Sequence, residues 1–215
     1  MQLDLKEDQS CDTLWTDGKT LGYNPSYIGD LNLPETKGTF AHEAVHVMLC
    51  HHTRRGDRDP EPWNVAADAR VNQIVLDSGF TLPAGHIPPD RTGRSVEAIY
   101  ASLPKRQPSD DGDKQGDPGG CGEVRDTPGK DGGAATKSEM AQAEAEARVM
   151  TSQAAASAKM MGQMTAGLAR LVEEILEPRV PWRDVLRRFA DQSTPSDYSW
   201  TRPNRRYLAS GLYLP

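Results

Sequence analysis

Thr39-Phe40-Ala41-His42-Glu43-Ala44-Val45-His46-Val47-Met48-Leu49-Cys50-His51-His52 decides how the rest of the chain is read. Its apolar residues fall on nearly every side of a 3.6-residue period, which predicts a buried helix over about 39–51. Thr36 or Thr39 is the expected N-cap. Inside it sits His-Glu-x-x-His. Four residues turn a helix by about 400°, so His42 and His46 project from one face, a turn apart. Glu43 stands about 100° away, at the edge of that face. Two imidazoles so placed suit a metal ion such as Zn2+, with Glu43 as general base toward a water on the metal. Burial strengthens this reading. Unpartnered ionisable groups inside an apolar helix cost several kcal/mol, roughly, and a bound cation removes that cost. The alternative is a set of core histidines held by ordinary hydrogen bonds.

A catalytic zinc takes a third protein ligand and leaves one position open. The next helical pattern, about 62–78, carries Asn64 and Asp68 on one face amid Val65, Ala66, Ala67 and Val71. The short polar turn before it lets the two helices pack antiparallel, so Asp68 is the expected third ligand. A salt bridge from Asp68 to Arg54, Arg55 or Arg70 is the competing arrangement. Glu61 is a weaker ligand candidate, beside Pro60 and Pro62 in a turn. His51 and His52 rotate away from the metal face and read as surface histidines at a helix end, unless the helix stops near Cys50. His86 lies in a Pro-rich loop, from which it could polarise a substrate carbonyl.

Outward from this centre, Thr13–Tyr23 reads as a hairpin, with Asp17-Gly18 favouring a type I′ turn. Asn24-Pro25 opens a short helical turn, and Ser95 caps another short helix running to Leu103. Between Pro104 and Gly133 lie eight glycines, four prolines and six aspartates, with Cys121 and Val124 the only apolar residues. That composition predicts a flexible linker over 104–135. Thr136-x-x-Glu139 is a capping box, and Met, Ala and Leu recur at helical spacing as far as Ile175, before Pro178. Pro181-Trp182 starts a further short helix through Phe189.

Composition sets limits. A net charge of −6 excludes the basic surface that generic nucleic-acid or anionic-membrane binding needs. No apolar run reaches the roughly 18 residues of a transmembrane helix. Three cysteines without a Cys-x-x-Cys pair, and an acidic start without signal-peptide order, point to a reduced, cytoplasmic protein.

The block His42–His52, the Arg54-Arg55-Gly56 turn, Asp59-Pro60, Trp63–Asp68 and the C-terminal Ser199–Pro215 together resemble a bacterial family of metallopeptidase domains. Members usually precede a von Willebrand factor A-like domain, Ser199–Pro215 resembles the segment leading into it, and the resemblance spans residues 13–103 and 178–215. The resemblance implies zinc peptidase chemistry, a peptide or protein substrate, and association with an AAA-type ring ATPase through the following domain.

The expected architecture is therefore α+β and mainly helical. A zincin-like core of minimal gluzincin type occupies 1–103, with a metal helix and a small β-hairpin. The linker and a helical region over 136–215 with a long C-terminal helix follow. His42, His46 and Asp68 are the expected zinc ligands and Glu43 the catalytic base. Tyr198, Tyr207, Tyr213 and His86 are the candidates for an oxyanion partner. Leu21–Tyr23 would serve as an edge strand that aligns substrate by β-addition. The rival function is a non-catalytic, metal-stapled or metal-free module linking an ATPase to a partner-binding domain.

Overall fold

The computed structural model describes residues 3–104 and 122–177, together with 186, 187, 189 and 190. Residues 105–121, Tyr198, Tyr207, Tyr213 and the whole Ser199–Pro215 segment lie outside the described residues. The chain divides into two units, Met1–Leu176 and Glu177–Pro215. The boundary thus falls after the C-terminal helices of the first unit, and not at the Gly/Pro-rich stretch. In the second unit the described Leu186, Arg187, Phe189 and Ala190 are helical.

The first unit is mainly helical beside one small sheet. Strands β1 (Asp4–Glu7), β2 (Leu14–Thr16), β3 (Thr20–Tyr23) and β4 (Glu123–Val124) lie in the order β1-β3-β2-β4. The expected hairpin is β2–β3, with Leu14 opposite Tyr23 and Thr16 opposite Leu21. Its turn differs from the expected type I′, which needs positive φ at both central residues. Here the closing residues are Asp17 and Thr20, and Gly18, at φ 93°, is the one central residue in the left-handed region. The Asp17 carboxylate accepts from the backbone of Lys19 and Thr20 and so competes for the turn's donors.

Two further strands alter the sheet. β1 pairs parallel with β3, and β4 pairs parallel with β2. Leu21–Tyr23 is therefore an interior strand with both backbone edges in use, and the expected edge-strand role is corrected. β4 comes from the stretch expected to be a flexible linker. Residues 122–127 are held by Arg125 N–H to Thr16 O, Thr127 N–H to His52 O, and an Arg55–Asp126 ion pair. Composition hid this because, besides the single buried apolar Val124, the anchors are backbone groups, one ion pair and one buried threonine.

Helices α1 (Pro25–Asp30), α2 (Leu33–Met48), α3 (His51–Arg54), α4 (Pro60–Asp77) and α5 (Val96–Ser102) follow the hairpin. The metal helix begins a turn earlier than expected. Asn32 caps α2 in a reciprocal box with Glu35, while Thr36 and Thr39 return their hydroxyls to the carbonyls of Asn32 and Glu35 inside the helix. α4 packs antiparallel on α2, since His42 faces Asn72 and His46 faces Asp68. Val45, Val71, Ile74, Val75 and Leu82 fill the space between them.

The single long helix expected after Thr136 is two. α6 (Lys137–Met160) ends at a turn through Gly162, φ 67°, and α7 (Ala166–Leu176) follows. The small face of α6 places Ala147 against Val47 and Cys50, and Leu171 of α7 packs on the α2–α4 core. Among the described residues no helix is long and apolar enough to cross a membrane.

Gly38 shows how closely α2 is gripped. A Cβ there would lie 1.8 Å from the carbonyl oxygen of Thr81. Gly→Ala within a helix ordinarily stabilises by about 1 kcal/mol. Gly38→Ala is expected instead to destabilise by about 1–3 kcal/mol through overpacking against rigid backbone. Urea unfolding of the metal-free protein measures it, and a raised midpoint would mean that the Thr81 segment yields freely.

Candidate metal centre

Three ionisable side chains, His42, His46 and Asp68, meet at the α2–α4 interface, and Glu43 lies buried on α2 beside Gly122. His42 and Glu43 are 0% exposed, and His46 and Asp68 are 1% exposed. One donor atom each from His42, His46 and Asp68 lies within 4.8 Å of the others. The Nε2 atoms of His42 and His46 are 2.8 Å apart. Asp68 Oδ1 lies 3.2 Å from His46 Nε2 and 3.6 Å from His42 Nε2, yet accepts no well-directed hydrogen bond. A buried carboxylate oxygen without a directed donor, facing two imidazole nitrogens, is a donor set that fits a divalent cation. The structure thus brings together the three residues expected as ligands.

The competing salt bridges to Asp68 do not form. Arg54 pairs with Glu97, Arg55 with Asp126, and Arg70 donates to Gln73. Glu61, in the first turn of α4, is outside the His42–His46–Asp68 group, and His86 uses Nδ1 on the Pro83 carbonyl of its own loop.

Burial pushes the Asp68 carboxyl up, but the two imidazoles outweigh it and hold the group below its ordinary value. Burial, with His42 beside it, lowers His46 to about 4. His46 is therefore neutral at pH 7, the form that ligates.

Two further side chains touch the imidazoles of this group, and of these the sequence reading passed over Asn72. Asn72, one turn after Asp68 on the same face, accepts at Oδ1 from His42 Nδ1 at 2.8 Å, and its Nδ2 donates to Ile87 O at 2.9 Å. The i, i+4 spacing from Asp68 was the available signal. His51 is 0% exposed, and its Nδ1 lies 3.1 Å from His46 Nδ1.

The surface reading of His51 and His52 is thereby corrected. The helix does stop near Cys50, whose left-handed backbone (φ 54°) separates α2 from α3 and turns both rings inward. Burial pushes His51 well below its usual value. His52 packs beneath the hairpin, where a Cβ on Gly18 would meet its ring at 2.4 Å.

Burial lowers His52 from 6.5 to about 4, against the pull of Asp17 and Glu144. Between those values the unfolded chain binds the additional proton. His52 therefore contributes stability above pH 6.5 that is lost as pH falls toward 4, about 3 kcal/mol in all. His52→Gln is expected to flatten the pH dependence of urea stability in that window. An unchanged slope would assign the acid sensitivity to other groups.

The carboxylate of Glu43 is covered by backbone. A Cβ on Gly122, at φ 154°, would lie 1.7 Å from Glu43 Oε1, so a side chain at 122 is excluded while β4 stays paired. A cavity of about 440 Å³ lies beside β4, lined by Ser10–Leu14, Glu123 and Arg125. None of the four centre residues lines it.

The chain matches, over residues 1–215, a family model described as "Putative metallopeptidase domain". No curated protein and no solved structure matches it.

Proposed function

The chain belongs to that metallopeptidase-domain family, and on that premise we propose that it is a zinc-dependent peptidase with His42, His46 and Asp68 as ligands and Glu43 as general base. The observation that carries the reading is the convergence of three buried donor atoms within 4.8 Å, with the buried Glu43 carboxylate on the same helix and outside the group. A purely structural zinc site has no use for a neighbouring base and closes with a fourth protein ligand. The arrangement is zincin-like: the metal helix carries both histidines and the base, and the next helix carries the third ligand.

When bound, zinc supplies Lewis acidity that makes water nucleophilic near neutral pH and polarises the substrate carbonyl. The chain's own contribution is positional. Asn72 holds the His42 ring by its Nδ1–H. Glu43 takes a proton from the attacking water at a carboxylate oxygen and returns it to the departing amine nitrogen. The backbone at Gly122 covers the Glu43 carboxylate, so the β4 segment stands against the general base.

One observation favours the rival reading as a metal-stapled module serving a von Willebrand factor A-like domain and a ring ATPase. The four residues are sealed from solvent. Elemental analysis with activity on a fluorogenic peptide pool separates the two. Zinc together with hydrolysis supports the peptidase, and full zinc without hydrolysis of any peptide supports the module.

A further inference from the structure

His51 is a buried polar side chain whose ring, among the described residues, makes one hydrogen bond, Nδ1 to His46 Nδ1, and whose buried Nε2 meets no partner there. We propose that His51 is a positioning residue of the metal centre, accepting at its Nδ1 a hydrogen bond from His46 Nδ1–H and so holding His46 in the tautomer whose Nε2 is free for the metal. The inference rests on the reading of His42, His46 and Asp68 as ligands.

An imidazole that ligates through Nε2 carries its proton on Nδ1, and in a dry site that N–H needs an acceptor. For His42 the acceptor is settled by Asn72. Its Nδ2 is spent on the Ile87 carbonyl, so Oδ1 faces the ring. For His46 the neighbour in the same position is His51 Nδ1 at 3.1 Å. His51 can accept there only with its own proton on Nε2, at the cost of a buried N–H that has no partner among the described residues.

Packing aims the ring. It stands edge-on to the fully buried Trp63, with centroids 6.2 Å apart and planes at 82°. The left-handed backbone at Cys50, a strained conformation for a non-glycine residue, is the feature that turns His51 toward His46. Without that break the ring would lie about 180° round the helix from His42.

The test uses the full chain and zinc alone. Long-range 1H–15N correlation spectra of the zinc-loaded protein are expected to place the His46 proton on Nδ1 and the His51 proton on Nε2. A His51 proton on Nδ1 overturns the inference. Competition titration is the second readout. His51→Ala is expected to weaken zinc binding by about 10–100-fold. His51→Gln, which keeps an acceptor oxygen, recovers most of that loss, and His52→Gln stays near wild type. Equal affinity in wild type and His51→Ala overturns the inference, as does an equal loss in all three variants, which marks damaged packing. A wild type that takes up no zinc overturns the metal centre itself, a result distinct from a zinc-binding protein indifferent to His51.

Discussion

Glu43→Gln is expected to lower peptide hydrolysis by about 10²–10⁴-fold while zinc content and fold stay unchanged. The amide has the same shape as the carboxylate but cannot accept the proton of the attacking water. Glu43 is fully buried and its donor atoms lie outside the His42–His46–Asp68 group, so its loss removes a base and not a ligand. Initial rates on an unstructured fluorogenic protein, with elemental analysis of the same samples, make the comparison. Equal rates in both proteins would remove Glu43 from the chemistry. A wild type that holds zinc and cleaves nothing would leave the stapled module as the working reading.

The second large effect concerns the metal. His46→Ala and Asp68→Ala are each expected to take zinc from about one per chain to near zero, because a two-donor remnant loses most of the affinity of a three-donor site. The loss also appears in stability. A ligand bound only by the folded state at a hundred times its Kd adds about 2.7 kcal/mol. Wild type should therefore melt higher with zinc than with chelator, and the two variants should not respond. Full zinc in Asp68→Ala would move the third donor elsewhere. It would also leave the Asp68–His46 contact at 3.2 Å as an ordinary ion pair.

The centre was largely legible because its grammar is local. His42, Glu43 and His46 owe their relation to one helical turn, and the apolar residues around them made burial predictable. Asp68 was legible at one remove. It needed a short connection, an antiparallel pair of helices and a carboxylate among small residues, all of which the sequence displays. Asn72 obeys the same periodicity and was missed for want of a reason to demand a hydrogen-bond partner for His42.

The errors share a cause, which is that local pattern carries no information about a contact made by backbone. β4 forms in a stretch whose composition says linker, because its parallel pairing to β2 uses main-chain groups that any residue supplies. The pairing of β1 with β3 leaves β3 in the sheet interior, and that of β4 with β2 brings Gly122 onto Glu43, and neither could be read from 21–23 or 119–124 alone. The expected single helix over 136–175 breaks at Gly162, a residue that periodicity tolerates, where the return of α7 lets Leu171 reach the core.

The sequence by itself determined a helix bearing two histidines and a glutamate, a second helix bearing an aspartate, and the chemistry such a set suits, since these follow from residue type and a 3.6-residue repeat. Tertiary structure alone decided that His51 and His52 are buried as well. Cys50 takes a left-handed backbone that nothing in its side chain requires, and the chain accepts that local cost because packing on Trp63 and beneath the hairpin gives His51 and His52 an interior to enter.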